Sequence, residues 1–283
     1  MKKNRFIILA VLVVMLAAFA VWIAWGNTAL ELNTYTIESP RLPASFDGYR
    51  IAHVSDLHNA EIGKDNETLL KMLVEAEPDM IAITGDLIDS RNTNVEIALQ
   101  FIREAVKIAP VYYVTGNHEA RVQTYDELKN GLENAGVILL EDDCTQISLA
   151  GETITLIGVN DPSFKTDYLL GDAETVVESA LAELHTGDDG FTILLSHRPE
   201  LFETYWENGM DLVLSGHAHG GQFRLPFVGG LVAPNQGLFP KYDAGLYTEN
   251  GTNMLVSKGI GNSLFPFRIN NRPEVILVEL KTN

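Results

Sequence analysis

The chain has 283 residues, of which 46% are hydrophobic, and its formal net charge at pH 7 is −18. A chain of this length can bury the core of one substantial α/β domain. The acidic excess argues against a sequence-independent grip on nucleic acid, because such a grip needs clustered lysine and arginine side chains to neutralise phosphates. The one cysteine, Cys144, excludes an intrachain disulfide and a cysteine-rich zinc site.

The amino terminus begins with a long apolar segment. Twenty consecutive residues from Phe6 to Trp25 carry no charge or strongly polar group, and in a helix they span about 30 Å, the thickness of a bilayer core. Three basic residues precede this segment and two tryptophans lie near its far end, which is typical of a span with a cytoplasmic amino terminus. The alternative is a cleaved signal peptide, whose apolar region is usually only about 7–15 residues long.

We therefore predict a single-pass anchor in the cell membrane at residues 1–27 and a short polar tether at residues 28–45. Residues 46–283 are expected to form one domain on the extracytoplasmic side, because the positively charged flank of the anchor favours the cytoplasm.

Past the anchor, apolar runs of strand length alternate with segments of helical periodicity, which predicts βαβ units and a largely parallel sheet. The predicted strands are Tyr49–Ser55, Met80–Thr84, Val111–Thr115, Phe191–Leu195, Leu212–Leu214 and Glu274–Leu280, with a hairpin joining Gln146–Leu149 to Thr153–Gly158. The predicted helices are one capped by Asn66 and ended by Pro78, one from about Val95 to Ile108, and one capped by Asp172.

Polar residues follow five of these strands. The segments read Asp56-Leu57-His58, Gly85-Asp86, Gly116-Asn117-His118-Glu119, Ser196-His197 and Gly216-His217-Ala218-His219. Strand ends in an open α/β sheet meet along one crevice, so we expect these side chains to converge. Carboxylate oxygens mixed with imidazole nitrogens suit Mn, Fe or Zn better than Mg or Ca.

In this order, the five segments resemble the complete signature of the calcineurin-like metallophosphoesterases, over about residues 50–221. The stretches Gly216–Pro226, Ser257–Gly261, Phe265–Arg268 and Asn271–Glu274 resemble a membrane-associated or exported bacterial branch of that family. The resemblance implies a four-layer α/β/β/α sandwich of two mixed sheets, preceded here by one transmembrane helix. It also implies an enzyme, a metal-dependent hydrolase of phosphomonoester, phosphodiester or pyrophosphate bonds.

The resemblance assigns a role to each polar residue. Two divalent cations are implied, with Mn²⁺ the leading candidate and Fe or Zn as alternatives. Asp56, His58, Asp86 and His219 would hold one cation, and Asp86, Asn117, His197 and His217 the other, with Asp86 bridging. His118 would not be a ligand, but would protonate the leaving alkoxide or stabilise developing charge. A water deprotonated with the help of both cations would attack phosphorus in line.

Other polar residues have more than one interpretation. We interpret His53, His185 and Cys144 as structural. Asp89 either orients a ligand or shapes its loop, and residues 160–171 either border the substrate cleft or form an ordinary loop. Arg224, Arg268 and Arg272 either hold a second phosphate or acidic head group or form surface ion pairs.

The anchor favours a phosphorylated lipid or a wall-linked substrate, beside phosphorylated small molecules, and nothing indicates an obligate protein partner. One alternative is a non-catalytic, metal-binding interaction module with the same fold, in which ligands or His118 would be missing; neither is missing here. Another is an exported metal-binding protein without turnover. It shares the ligands but gives no reason for His118 beside Asn117.

Overall fold

The computed structural model describes residues 2–165, 173–185, 190–263 and 265–283, except for the side chains of residues 2 and 3. The helices are α1 (Lys2–Thr28), α2 (Glu67–Ala76), α3 (Val95–Ala105), α4 (Tyr125–Ala135), α5 (Ala173–Leu184) and α6 (Phe202–Glu207). The strands are β1 (Glu31–Ser39), β2 (Arg50–Val54), β3 (Met80–Thr84), β4 (Val111–Val114), β5 (Ile138–Leu139), β6 (Asp143–Leu149), β7 (Glu152–Gly158), β8 (Thr192–Leu195), β9 (Leu212–Ser215), β10 (Arg224–Leu225), β11 (Gly229–Gly230), β12 (Val232–Ala233), β13 (Gly237–Leu238), β14 (Gly245–Glu249), β15 (Thr252–Val256) and β16 (Glu274–Thr282).

The longer strands form two mixed six-stranded sheets. Sheet 1 has the order β1-β16-β2-β3-β4-β5, and sheet 2 has the order β14-β15-β9-β8-β7-β6. The central strands are parallel, with antiparallel pairs at β16–β2, β14–β15 and β6–β7. Four further short strands pair as β10–β11 and β12–β13. This arrangement brings the carboxyl ends of β2, β3, β4, β8 and β9 toward one region.

The two sheets pack face to face, with helices on their outer faces. In β3, Met80 and Ala82 belong to the core between the sheets, whereas Ile81 and Ile83 pack in the core beneath α2, α3 and α4. A third core lies between sheet 2 and the helices α5 and α6. Strands that are buried on both faces appear in the sequence as continuous apolar runs, so the sequence predicts their positions. The predicted four-layer α/β/β/α sandwich is confirmed.

The segment expected to be a tether is different. Residues 28–45 contain β1, which pairs in parallel with the last strand, β16, over nine residues. Ile37 of β1 is only 2% exposed and packs in the core between the sheets. The tether prediction is therefore wrong for Glu31–Ser39. The strand was missed because its alternating polar residues face solvent at the edge of a sheet.

Helix α1 leads directly into β1. Its segment Asn4–Thr28 is long and apolar enough to cross a membrane, a property of length and composition that a signal sequence shares. The last turns of the helix contact the domain: the Asn27 side chain donates to the carbonyl of Arg268 (3.1 Å) and accepts from its backbone N–H (2.7 Å). The Arg272 guanidinium lies 5.1 Å from the centre of the Trp25 ring. The helix end is thus joined to the domain by specific contacts.

Other predicted boundaries differ by small amounts. Strand β3 begins and ends as predicted, whereas α3 ends three residues earlier, at Ala105. Asn66 does precede α2, but its side chain accepts from the backbone N–H of Ile62 instead of capping the helix. The predicted cap Asp172 lies outside the described residues. Helices α4 and α6 and strands β5, β14 and β15 had not been predicted individually.

Two substitutions in β1 distinguish a strand from a tether. Ile37→Ala is expected to lower the free energy of unfolding of the full chain by about 2–5 kcal/mol, because it removes buried methylene and methyl groups from a packed core. Leu32→Ala, on the same strand but at a side chain that is 38% exposed, is expected to change it by less than about 1 kcal/mol. Urea unfolding in detergent, followed by circular dichroism, measures both; equal, negligible effects would contradict the strand's structural role.

Candidate metal centre

The eight side chains predicted as site residues lie at strand ends contributed by both sheets. All eight are buried. They are Asp56 and His58 after β2, Asp86 after β3, Asn117 and His118 after β4, His197 after β8, and His217 and His219 after β9. The convergence expected from the sequence is present in the structure.

One group of ligand atoms gathers around the end of β2. The Nε2 atoms of His58 and His219 lie 3.1 Å apart, and His219 Nε2 is 3.2 Å from Asp56 Oδ1. Asp86 Oδ2 lies 3.5 Å from His58 Nε2. These four residues present two carboxylate oxygens and two imidazole nitrogens within 4.8 Å of one another. The group has the composition of a site for a divalent transition metal.

A second group shares Asp86 with the first. The same Oδ2 atom lies 3.3 Å from His197 Nε2, and His197 Nε2 lies 3.1 Å from His217 Nδ1. Asn117 lines the same cleft as Asp86 and His217. Its buried Oδ1 has no hydrogen-bond partner in the described part of the chain. One carboxylate oxygen is therefore common to two ligand clusters.

These contacts fit bound cations. Two imidazole nitrogens facing each other at 3.1 Å repel through their lone pairs unless a proton or a cation lies between them. The buried Asn117 oxygen is an acceptor without a donor, which costs about 1–3 kcal/mol when nothing binds it. The donor set suits Mn, Fe or Zn. The residues present therefore fit divalent cations at both groups.

The backbone at the site is held in an uncommon conformation. Asp56, His58, Asp86, His217 and His219 have φ angles of 53, 46, 51, 66 and 49°. Residues other than glycine rarely adopt positive φ, and each such residue costs on the order of 1–3 kcal/mol. The surrounding structure must therefore hold these loops in place.

Glu119 is one residue that holds them, and sequence reasoning gave it no role. Its buried carboxylate accepts backbone N–H bonds from Asp86 (2.9 Å), Ile88 (3.3 Å) and Gly116 (2.8 Å). Burial and the neighbouring Asp86 raise the pKa of Glu119 to about 7, although these hydrogen bonds act in the opposite direction. Glu119 thus ties the loop after β3 to the loop after β4. Its place in the segment after β4 was the only signal in the sequence.

Close packing between the two sheets fixes the Asp56 loop. The Asp56 carboxylate accepts the backbone N–H of His217 (3.1 Å to Oδ2) and the hydroxyl of Ser55 (2.6 Å). A Cβ atom on Gly216 would lie only 1.9 Å from Ser55 Oγ and 2.3 Å from Asp56 Oδ2. Only glycine allows this approach. The loops after β2 and β9 therefore meet without an intervening side chain.

The acidic and imidazole side chains of the two groups differ widely in pKa. Burial acts to raise the pKa values of Asp56 and Asp86, but the adjacent imidazoles, led by His219 and His197 respectively, bring both well below the usual range. Burial alone would lower the pKa of His197, yet Asp86 and Asp56 raise it to about 10. Burial lowers the pKa of His219 to about 3, against the effect of Asp56. The carboxylates are thus ionised, and the imidazoles are only partly protonated around them.

His118 lies beside the first group and has a defined tautomer. Its Nδ1 accepts the backbone N–H of Ser90 (3.0 Å), so a neutral ring carries its proton on Nε2. Burial lowers the pKa of His118 to about 4, although Asp86 acts to raise it. Its ring stands edge-on to His58, with the ring centres 4.4 Å apart. The Nε2–H is therefore available as a hydrogen-bond donor.

A cleft of about 240 Å³ opens over these residues. Arg198, which sequence reasoning did not single out, lines it and lies 3.3 Å from His217 Nε2 through Nη1. The buried Asp161 holds this guanidinium through Nε (2.5 Å) and Nη2 (2.9 Å). Arg121, Ser163, Asn235 and Ser263 complete the polar lining. The cleft thus places a fixed positive charge next to the ligand cluster.

The remaining predicted residues lie at varied distances from this centre. His53 is buried and its Nε2 contacts Thr84 Oγ1 (2.8 Å), as expected of a structural residue. Asp89 Oδ1 lies 3.5 Å from His118 Nδ1 and also binds Arg91. Asp161 supports Arg198, while residues 166–171 of the same loop lie outside the described residues. Cys144 is exposed on β6, so its interpretation as a packed residue is wrong. Arg224, Arg268 and Arg272 line a different cavity, which does not include the ligand cluster.

Known proteins resemble this chain in sequence and fold. The family described as calcineurin-like phosphoesterase matches residues 49–221. The metallophosphoesterase YkuE of Bacillus subtilis (strain 168) is 30% identical over 258 residues, which are 89% of this chain and 86% of YkuE. The phosphodiesterase YaeI of Escherichia coli (strain K12) is 28% identical over 239 residues, 82% of each chain.

A transmembrane protein with a metallophosphoesterase domain from Danio rerio is 30% identical over 269 residues, 90% of this chain and 59% of that protein. The crystal structure of TT1561 from Thermus thermophilus has a similar fold, with a TM-score of 0.51 and 16% identity, over 75% of this chain and 90% of TT1561. The family match covers more than half of this chain and contains the ligand cluster. The chain is therefore a hydrolase of the calcineurin-like phosphoesterase family.

Proposed function

We propose that this hydrolase cleaves a phosphoester or pyrophosphate bond with a pair of divalent cations. The position of Asp86 Oδ2, 3.5 Å from His58 Nε2 and 3.3 Å from His197 Nε2, carries this proposal. Asp56, His58, Asp86 and His219 are the ligands proposed for one cation, and Asp86, Asn117, His197 and His217 for the other. Mn²⁺ is the leading candidate, with Fe or Zn as alternatives, because the ligands mix oxygen and nitrogen.

When bound, such cations stabilise charge on phosphoryl oxygens and lower the pKa of an attacking water. The chain's own residues supply the other functions. The neutral His118 ring donates an Nε2–H hydrogen bond that stabilises the charge developing on the leaving oxygen, and its imidazolium form transfers that proton to the same oxygen. Arg198 adds a positive charge to the cleft, and Asp161 fixes the direction of its guanidinium. The site therefore favours an anionic phosphorylated substrate.

The long apolar helix α1 and transmembrane relatives such as that of Danio rerio support membrane association. We propose further that the chain spans the cell membrane once, with a cytoplasmic amino terminus and an extracytoplasmic domain, because the basic residues precede the span. A phosphorylated lipid or wall-linked molecule is the substrate class that such a position favours, beside soluble phosphate esters. An obligate protein partner is not part of this proposal, because all seven proposed cation ligands belong to this chain.

The rival is a metal-binding interaction module that keeps the fold without turnover. Such a module needs neither a proton donor in the cleft nor an oriented guanidinium. His118 has a tautomer fixed by Ser90, and Arg198 is held by two bonds to Asp161. These two preorganised groups support the hydrolase over the module.

The shared ligand generates the first test. In Asp86→Asn, the metal content of the purified full chain in detergent is expected to fall below the two cations per chain expected for the unsubstituted protein. We also expect this variant to lose hydrolysis of bis-p-nitrophenyl phosphate and of p-nitrophenyl phosphate. The assay is run after metal stripping and resupply with Mn²⁺, Zn²⁺, Fe²⁺ or Mg²⁺. Asp126→Asn, at an exposed carboxylate of α4, is the matched control. Two cations retained in Asp86→Asn would contradict a shared ligand.

The proposed proton donor is tested separately. His118→Asn is expected to lower kcat by about 10²–10⁴-fold, the contribution typical of general acid–base catalysis, with two cations still bound. His185→Asn, at a partly exposed histidine beyond α5, is the matched control. Mass spectrometry gives the metal content and initial rates give kcat. An undiminished kcat in His118→Asn would remove this residue from the mechanism.

The orientation of the chain can be read from its single cysteine. Cys144 is exposed on β6, so a membrane-impermeant maleimide is expected to label it in intact spheroplasts if the domain is extracytoplasmic. Cys144→Ser removes the signal. In that background, Asn4→Cys is expected to be labelled only after lysis, since residue 4 then lies on the cytoplasmic side. The reverse pattern would contradict the proposed topology.

A further inference from the structure

A second cavity lies where the apolar helix meets the domain. It has a volume of about 190 Å³. The last turns of α1, with Trp22 and Trp25, form one wall, and residues between β15 and β16 form the other. It shares no lining residue with the cleft over the ligand cluster. The cavity is therefore separate from the proposed catalytic site.

The lining of this junction cavity is basic, although the chain as a whole is strongly acidic. Arg224, Lys258, Arg268 and Arg272 line it together with one carboxylate, Glu31. Three of the four cations have acidic neighbours: Arg224 lies 2.9 Å from Asp243, Lys258 contacts Glu31 and lies 3.2 Å from Glu274, and Arg272 lies 3.3 Å from Glu31. A local excess of positive charge remains.

Arg268 accounts for that excess. It is only 2% exposed, and its terminal nitrogens donate to the backbone carbonyls of Lys258 and Gly261. Among the described residues no carboxylate lies within ion-pair distance of it, and its Nε–H has no hydrogen-bond partner. Burial lowers the pKa of Arg268 to about 10, so it remains charged at neutral pH. Asp56 and Glu274 offset this charge only from beyond ion-pair distance, so an anion bound in the cavity would stabilise the buried guanidinium further.

The surroundings locate the cavity relative to a bilayer. Tryptophans favour the membrane interface, and Trp22 and Trp25 lie near the end of the apolar span. Arg224 begins the β10–β11 hairpin, whose tip exposes Phe227 and Val228 fully or largely to solvent. Exposed apolar side chains next to a membrane helix are typical of contact with lipid. With α1 inserted in a bilayer, the cavity would open at the level of phospholipid headgroups.

We propose that the junction cavity binds the phosphate group of an anionic ligand, at a site distinct from the metal centre. Arginine and lysine side chains recognise phosphate oxygens through charge-assisted hydrogen bonds, and a guanidinium can present two parallel donors. An anionic phospholipid and a free phosphate share this chemistry. The site extends beyond the hydrolytic function, because none of its lining residues is a proposed cation ligand; one of them, Asn271, donates to the backbone carbonyl of His219 (2.7 Å).

The test uses the full chain in a neutral detergent, stripped of metals so that anions do not bind through cations in the catalytic cleft. Phosphatidylglycerol, zwitterionic phosphatidylcholine and inorganic phosphate are the probes. Native mass spectrometry measures lipid binding, and the midpoint of thermal unfolding measures the effect of phosphate. Arg224→Gln/Lys258→Gln removes two charges from the cavity. The control Arg103→Gln/Lys107→Gln removes two ion-paired charges from the exposed surface of α3 and the turn after it.

We expect one phosphatidylglycerol per chain, bound more tightly than phosphatidylcholine. Its affinity should fall about tenfold or more in Arg224→Gln/Lys258→Gln, the loss expected for a charge-assisted hydrogen bond, and remain unchanged in the control. Glu31→Gln breaks ion pairs too but removes a negative charge, so it should bind phosphatidylglycerol several-fold more tightly. Both variants lose ion pairs, so misfolding would weaken phosphatidylglycerol binding in both. Weaker binding in one and tighter binding in the other therefore reports the charge of the cavity.

Each remaining outcome is decisive. Phosphatidylglycerol could bind no better than phosphatidylcholine, while phosphate raises the unfolding midpoint of the unsubstituted chain and not that of the cavity variant. That result would support the anion site, with a soluble anion as its ligand. If neither anion binds, or if the cavity variant behaves as the α3 control does, the proposal is overturned. Hydrolytic activity plays no part in these readouts, so the result is independent of the proposed reaction.

Discussion

The burial of two carboxylates, Asp56 and Asp86, is the constraint on which the site depends. Both lie where the two sheets meet and are at most 1% exposed. Ionised carboxylates in such a place need compensating positive charge. The carboxylates raise the pKa values of His58 and His197 against the effect of burial, whereas burial keeps those of His217 and His219 well below their ordinary range. The site thus combines ionised carboxylates with imidazole nitrogens that carry no proton, a donor set that suits divalent cations.

That constraint has a consequence for the backbone. Five candidate ligand residues adopt positive φ angles, a conformation that a short loop does not hold unaided. Here the opposing loops fix it: Glu119 accepts N–H groups from two loops of sheet 1, and Asp56 accepts an N–H group from the loop after β9 of sheet 2. Side chains of the cluster are therefore both proposed ligands and structural links. The two sheets must be packed correctly before the ligand atoms can lie together.

The sequence predicted those features that local patterns encode. Met80–Thr84 is buried on both faces, so a continuous apolar run predicted it, and the polar residue types after each strand predicted the candidate ligands. The edge strand Glu31–Ser39 was missed because only Ile37 and Ser39 are buried in it, and nothing local indicates that β16 lies beside it. Glu119 and Arg198 were also missed as contributors to the site. Their roles depend on contacts with residues about 30–40 positions away, which a single sequence does not reveal.

The corrected position of β1 changes how the membrane helix relates to the site. Strand β1 follows α1 almost directly and pairs with β16, and β16 pairs with β2, the strand that carries Asp56 at its end. One loop completes the connection: Lys258 lines the junction cavity, and the backbone N–H of Gly261 donates to the Asp56 carbonyl (2.7 Å). A flexible tether would let the cleft take any height above a bilayer. With three adjacent strands and one shared loop between them, α1 embedded in a membrane would instead fix the distance between the bilayer surface and the candidate metal centre.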